Sequence, residues 1–166
     1  MANIAVFYGS DSGSTKKVAA LIAQQFDIDS NDIADVELED LEQYDLIILG
    51  TPTVNNGEIQ SDWDYVLDDI EDLNLTDTKV AVFGLGDQID YADTFVDAMA
   101  DLAQTCEEAG ATLIGSWPSK GYTHSESRAE KNGFFVGLAI DMERQAEQTH
   151  KRVENWVSQL KSFMNE

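Results

Sequence analysis

The sequence predicts an α/β fold, a doubly wound five-stranded parallel sheet with helices on both faces and an insertion that interrupts the fifth strand. Three observations carry this. Residues 3–8, 44–50 and 79–84 are near-continuous apolar runs of strand length, which mark strands buried on both faces. Between and after these runs apolar residues recur at helical spacing, so strands alternate with helices as in a sheet covered on both sides. The chain of 166 residues is 43% hydrophobic and 9% aromatic, enough for one core and too short for two ordinary domains, so residues 1–166 are expected to form a single domain.

The first strand, 3–8 (Asn-Ile-Ala-Val-Phe-Tyr), ends at Gly9. Val18, Leu21, Ile22 and Phe26 then share one helical face, with the first turn near Gly13 to Thr15. Alternation over 34–38 predicts a short second strand. The third strand, 44–50, precedes a helix whose inner stripe is Trp63, Val66, Leu67, Ile70 and Leu73. The fourth, 79–84, precedes a helix marked by Phe95, Met99, Leu102 and Cys106 and closed by Gly110. The fifth starts at 112–114. Residues 116–133 then break the pattern with polar, aromatic and glycine character, and the apolar run resumes at 134–140. The last helix carries Val153, Trp156, Val157, Leu160 and Phe163 on one face, with Thr149 as its expected N-cap.

A sheet of this kind binds ligands beyond the carboxyl ends of its strands. After the first strand comes Gly9-Ser10-Asp11-Ser12-Gly13-Ser14-Thr15, which leads into a helix. Free N–H groups, the helix dipole and the hydroxyls suit a phosphate there. The spacing is neither that of a Walker A loop nor Gly-x-Gly-x-x-Gly, and a plain serine-rich cap also fits. After the third strand, Thr51-Pro52-Thr53-Val54-Asn55-Asn56-Gly57-Glu58 can present peptide groups to a ligand edge or serve as an ordinary turn. After the fourth, Gly84-Leu85-Gly86-Asp87-Gln88-Ile89-Asp90-Tyr91 offers a carboxylate for a ring N–H and a flat face for stacking, although Tyr91 alone reads more readily as a surface or half-buried loop aromatic. Together the three loops suit a mononucleotide with a flat ring.

Ten Lys and Arg stand against 32 Asp and Glu, a net charge of −22. Residues 18–119 hold 24 acids and a single base, Lys79, whereas 120–166 balance seven against seven. Such a body repels nucleic acid and anionic lipid and favours basic protein partners, although a solvated surface or adaptation to salt would produce the same excess. No apolar run approaches the ~20 residues of a membrane span, and no signal peptide is visible. One cysteine excludes a disulfide framework, so a cytoplasmic setting is expected.

Four motifs in order then resemble the flavodoxin family. Ser-Asp-Ser-Gly-Ser-Thr at 10–15 is similar to its phosphate loop, Ser/Thr-x-Ser/Thr-Gly-x-Thr, and Gly-Asp-Gln-x-x-Tyr-Ala at 86–92 to its second flavin loop. Gly-Glu-x-Gln-x-Asp-Trp at 57–63 and Phe-Val-Gly-Leu-Ala-Ile-Asp at 135–141 complete the set, and the interrupted fifth strand resembles the long-chain subgroup. The resemblance implies a flavodoxin-like sheet in the order 2-1-3-4-5 that holds FMN without a covalent link. It implies a low-potential, monomeric one-electron carrier rather than an enzyme, cycling between neutral semiquinone and anionic hydroquinone. Its implied partners are basic-surfaced redox proteins, such as an NADP(H)-dependent flavodoxin reductase and electron acceptors. The alternative of the same fold is an FMN-dependent NAD(P)H:quinone reductase.

By position, the resemblance gives the phosphate to Ser10, Asp11, Ser12, Gly13, Ser14 and Thr15. Pro52, Thr53, Val54, Asn55, Asn56 and Gly57 border the ring, the Asn55–Asn56 peptide turning its carbonyl toward N5–H. Leu85, Gly86 and Asp87 meet its N3 edge, Tyr91 stacks on it, and Asp141 reaches the ribityl chain. Val54 departs from the Trp common in the subgroup, which implies weaker FMN binding. Asn56 departs from Gly, so a left-handed backbone there would cost more. Asp87 and Asp90, beside a ring that gains negative charge, are expected to oppose the second electron.

The remaining polar residues read as structural. Cys106 lies in register with a helical core stripe, His124 and His150 lack ligand-spaced partners and fit surface or capping roles, and no metal site is indicated. Trp117 and Tyr122 are expected to pack the insertion onto the sheet.

Overall fold

A computed structural model describes residues 3–164. In chain order its elements are β1 (Ile4–Tyr8), α1 (Ser14–Gln25), β2 (Ser30–Asp32), β3 (Leu46–Val54), β4 (Glu58–Ile59), α2 (Ser61–Glu71), β5 (Lys79–Leu85), α3 (Asp97–Glu108), β6 (Thr112–Leu113), β7 (Trp117–Pro118), β8 (Glu130–Lys131), β9 (Phe134–Phe135), β10 (Leu138–Ile140) and α4 (Thr149–Met164). The parallel sheet runs β2-β1-β3-β5-β10. β6 pairs with the start of β5 (Lys79 with Thr112) and β10 with its end (Ile140 with Leu85), so the two are halves of one edge strand. The predicted order therefore holds, with the insertion leaving and rejoining that edge. Within the insertion, β7, β9 and β8 form a small antiparallel sheet.

Side chains of a strand point alternately to its two faces, and here both faces are covered. Phe7, Ile47, Leu49 and Val82 pack under α2 and α3 with Trp63, Met99 and Leu102. Val6, Ile48, Ala81 and Phe83 pack under α1 and α4 with Ile22, Val153 and Trp156. That is why the central strands read as continuous apolar runs. The helical layers differ in charge: α2 and α3 carry nine acids and no base, whereas α1 and α4 carry five Lys and Arg and one acid, Glu154.

Several expectations need correcting. The second strand is Ser30–Asp32, not 34–38. The Asp32 carboxylate accepts from Ala34 N at 2.9 Å and caps a 3-10 turn over Ile33–Asp35, which ends the strand. Ile33 and Leu41 are buried from turns rather than from a strand. Phe95 precedes its helix, which opens instead at Val96. Thr149 does not cap α4: it already has helical dihedrals, φ −59° and ψ −50°, and its hydroxyl lies 3.2 Å from Met142 Sδ. The run 134–140 is split between the insertion sheet and β10.

The insertion is seated by its aromatics, as expected. Tyr122 OH donates to the Ala139 carbonyl of β10 and accepts from Trp117 Nε1 at 3.1 Å, and Arg152 lies 4.2 Å over the Tyr122 ring. Burial pushes the Tyr122 phenol up to about 12. His124 is not a surface residue. Its side chain is 6% exposed and packs on Phe95 and Phe135, with Nε2 2.6 Å from Glu130 Oε1. The Ser119 hydroxyl, then His124, hold the Glu130 carboxyl below its ordinary value. Burial pushes the Cys106 thiol up to about 12, which makes it an inert core group.

Candidate functional site

The strand ends converge on one cleft. Its volume is about 350 Å³, and it is lined by Ser12 and Ser14 after β1, Pro52 and Thr53 at the end of β3, Leu85, Gly86, Asp87, Asp90 and Tyr91 after β5, and Met142 and Glu143 after β10. The size lies within the usual range for a small-molecule site.

One end is the loop that leads from β1 into α1. Gly13 takes φ +92°, a conformation open to glycine, and so turns the chain from the loop into α1. No side chain caps this helix, and the first turn carries no acid. Its leading N–H groups are therefore left for a ligand. Gly13 N donates to Ser10 Oγ at 3.0 Å, and Lys17 N to the Gly13 carbonyl at 3.1 Å, which fixes the loop's curvature. Asp11 points away to accept from Gln60 Nε2 at 3.0 Å. Thr15 is buried within the first turn.

The middle is set by β3 and its hairpin with β4. Thr53 Oγ1 accepts from Ala98 N at 3.0 Å, which ties the strand's end to α3. Val54 pairs with Glu58, so Asn55, Asn56 and Gly57 form a three-residue tip. The left-handed residues there are Asn55 (φ 51°) and Gly57 (φ 98°), not Asn56. Asn tolerates this conformation better than most residues. Asn56 faces Tyr91 across a second groove of about 290 Å³ that also borders Asp90.

The far end is the loop after β5. Tyr91 is 48% exposed, so a flat face stands open at the cleft, and Ile89, 55% exposed, borders the second groove beside it. Asp87 Oδ1 accepts from Ile89 N and Asp90 N, both at 2.9 Å, and from Arg144 Nε at 3.1 Å. Partial burial pushes the Asp87 carboxyl up, but the Asp90 N–H, Arg144 and the Ile89 N–H outweigh it and hold the group below its ordinary value. Its contribution to stability is thus present above about pH 4 and lost as the pH falls through the lowered value.

Asp141 serves a different purpose from the one its position suggested. It is fully buried, with Oδ2 accepting from Gln88 N (3.0 Å) and Gln88 Nε2 (2.9 Å) and Oδ1 from Glu143 N (3.0 Å) and Arg144 N (2.9 Å). A carboxylate has about four acceptor positions, and all four are spent inside the protein. Gln88 Oε1 in turn accepts from Thr123 N at 2.6 Å, so Asp141 and Gln88 join the β5 loop, the insertion and the segment after β10.

Sequence reasoning brought the three loops together correctly but missed four residues that hold them. Gln60 and Gln88 lay within the quoted motifs, yet nothing in the pattern marks them as buried connectors. Arg144 bridges Asp87 and Asp90 (Nη2 to Asp90 Oδ2, 3.0 Å), and Arg128 reaches the 55–57 tip from the insertion. Both are isolated bases distant in sequence from the groups they meet.

Comparison with known proteins agrees with this architecture. The sequence model of the family described as flavodoxin matches residues 6–156. The chain is 46% identical to a flavodoxin of Synechococcus elongatus, covering 98% of each chain, and 44% identical to one of Haemophilus influenzae, covering 96% of this chain and 94% of that one. A crystal structure of Fusobacterium nucleatum flavodoxin bound to flavin mononucleotide superposes with a TM-score of 0.91 at 28% identity, covering 98% of each chain. With the sheet order, the cleft and the near-full-length relatives in agreement, the chain belongs to the flavodoxin family.

Proposed function

We propose that this chain holds FMN without a covalent bond and carries electrons singly between redox proteins, at low potential, between neutral semiquinone and anionic hydroquinone. The observation that supports this best is one cleft joining an uncapped helix N-terminus to an open tyrosine face. Bound there, FMN supplies the one-electron chemistry that no side chain of the site possesses.

Ser10 to Thr15 hold the phosphate through N–H groups and hydroxyls. Tyr91 covers the outer ring face. Asp87, whose three protein donors all address Oδ1, keeps Oδ2 for a ring N–H beside the Leu85 and Gly86 backbone. Pro52, Thr53 and Val54 border the inner face, and the Asn55–Asn56 peptide with Gly57 meets the reacting edge. Asp141 positions Gln88 and Arg144 instead of touching the ligand. Val54→Trp is expected to tighten FMN about tenfold, because a large aromatic face replaces a small aliphatic one. Fluorescence titration of the apoprotein measures this, and equal affinity would refute it.

Arg144 alters the charge balance expected at the rim. It pairs with both Asp87 and Asp90, so those carboxylates do not act on the ring unopposed. Arg144→Gln is expected to lower the second midpoint potential. One unit charge at ~10 Å and an effective dielectric of ~20 amounts to roughly 1.7 kcal/mol, or ~70 mV for one electron. Spectroelectrochemistry at low salt reads it, and an unmoved second couple would count against local charge as the lever.

The acidic surface steers the carrier onto basic patches of a reductase, such as an NADP(H)-dependent flavodoxin reductase, and of electron acceptors. The carrier works as a monomer in the cytoplasm. A visible spectrum followed through stepwise anaerobic reduction tests the whole reading. Flavin bands near ~450 nm and then a one-electron intermediate support it. Direct two-electron bleaching would favour a quinone reductase, and a chain that takes up no FMN would overturn it.

A further inference from the structure

One side chain of the insertion reaches the 55–57 turn. Arg128 Nη2 donates to the Gly57 carbonyl at 2.9 Å, across 71 residues of sequence. The same guanidinium forks onto Asp101, with Nη1 to Oδ1 at 2.9 Å and Nη2 to Oδ2 at 3.3 Å. Its Nε lies 3.4 Å from Asp97 Oδ2, and its backbone N donates to Asp97 Oδ1 at 2.8 Å. Asp97 is buried at the start of α3, so the anchor is rigid.

The turn it holds needs an anchor. Two of its three residues are left-handed, and both Asn55 and Asn56 are exposed. Gly57 packs so closely that a Cβ would stand 3.0 Å from Asp97 Oδ2. The α3 side of the same junction is itself strained: Val96, a buried β-branched residue, takes φ 49°. Strained backbone persists only where its surroundings over-determine it, and Arg128 links both sides at the turn itself, beyond the Thr53–Ala98 bond at the strand's end.

We propose that Arg128 is a positioning residue for the 55–57 turn, fixing the Gly57 carbonyl so that movement at the cleft's edge is confined to the Asn55–Asn56 peptide. This rests on the FMN reading above. It gives the insertion a part in the redox site that its sequence did not disclose. A planar guanidinium meets the carbonyl and both carboxylates at once, whereas a lysine ammonium is a point charge that reaches one of them.

The test compares wild type with Arg128→Gln, Arg128→Lys and Asp101→Asn. Backbone hydrogen exchange is read on the apoprotein and both midpoint potentials on the FMN-loaded protein. Both Arg128 variants are expected to exchange faster at residues 55–58 by about tenfold or more. Both are also expected to lower the first potential relative to the second by about a tenfold change in equilibrium, ~59 mV. Asp101→Asn keeps the Gly57 contact but loses one prong of the fork, and is expected to fall between wild type and the Arg128 variants in both readings. Faster exchange confined to 116–133 would reduce Arg128 to a staple for the insertion and overturn the proposal. So would an Arg128→Lys protein indistinguishable from wild type, or equal shifts of both potentials in Arg128→Gln, since either makes charge alone the cause. A wild-type chain that takes up no FMN sinks the parent reading, whereas these outcomes in an FMN-loaded protein sink only this one.

Discussion

Asp141→Ala is expected to destabilise the apoprotein by on the order of 3–5 kcal/mol, since each orphaned buried donor costs about 1–3 kcal/mol and entering water recovers part of it. Four N–H donors, two of Gln88 and one each of Glu143 and Arg144, lose their acceptor at a fully buried position. The β5 loop then loses its tie to the segment after β10, so FMN affinity is expected to fall as well, although Asp141 touches no ligand in this reading. Asp141→Asn retains one acceptor oxygen and is expected to lose less. Urea unfolding with flavin titration measures both effects. A loss under about 1 kcal/mol would mean that water replaces the carboxylate without penalty.

Gly137→Ala, one residue before β10, is expected to be a highly damaging single-methyl change. The added methyl would overlap the Val82 carbonyl oxygen and stand 2.7 Å from the carbonyl carbon and 2.8 Å from Val82 Cγ2. Val82 lies in the middle of β5 and pairs with Leu49 of β3, which holds its backbone in place. Overpacking typically costs about 1–3 kcal/mol, and a backbone clash should exceed that range. Relief requires β10 to peel from β5, which would free the Asp141 anchor too. The expected outcome is a chain that unfolds at markedly lower denaturant and recovers FMN poorly. A midpoint within error of wild type would show that the edge strand can shift as a unit.

These expectations draw on features that differ in how visible they are in the sequence. The central strands were legible because burial on both faces leaves a continuous apolar run, as at Leu46 to Leu49. The turn from β1 into α1 was legible because a hydroxyl-rich, glycine-bearing stretch precedes a helical apolar stripe. β2 was not, because Ser30, Asn31 and Asp32 carry no hydrophobic signal; their strand character comes from backbone pairing to Val6, Phe7 and Tyr8. Asp141 had a position in a motif but no visible geometry, so its bonds to Gln88, Glu143 and Arg144 could not be read from the pattern. His124 looked solitary, whereas its partners Phe95, Phe135 and Glu130 assemble only when the insertion folds back. Long-range pairings of single charged residues, such as Arg128 with Gly57, leave no periodic trace at all.

The unequal charge of the two helical layers makes the molecule an electric dipole whose axis runs through the sheet. Nine acids lie on the α2 and α3 side, and an excess of bases lies on the α1 and α4 side. A positively charged partner exerts a torque on such a body before the surfaces meet and turns the α2–α3 face toward itself. The cleft opens at the strand ends, at roughly a right angle to that axis. Tyr65, 88% exposed, stands on that face among the acids of α2. Turning the cleft toward such a partner tilts the dipole off the line between them, so the charge asymmetry favours the α2–α3 face over the cleft in a first encounter.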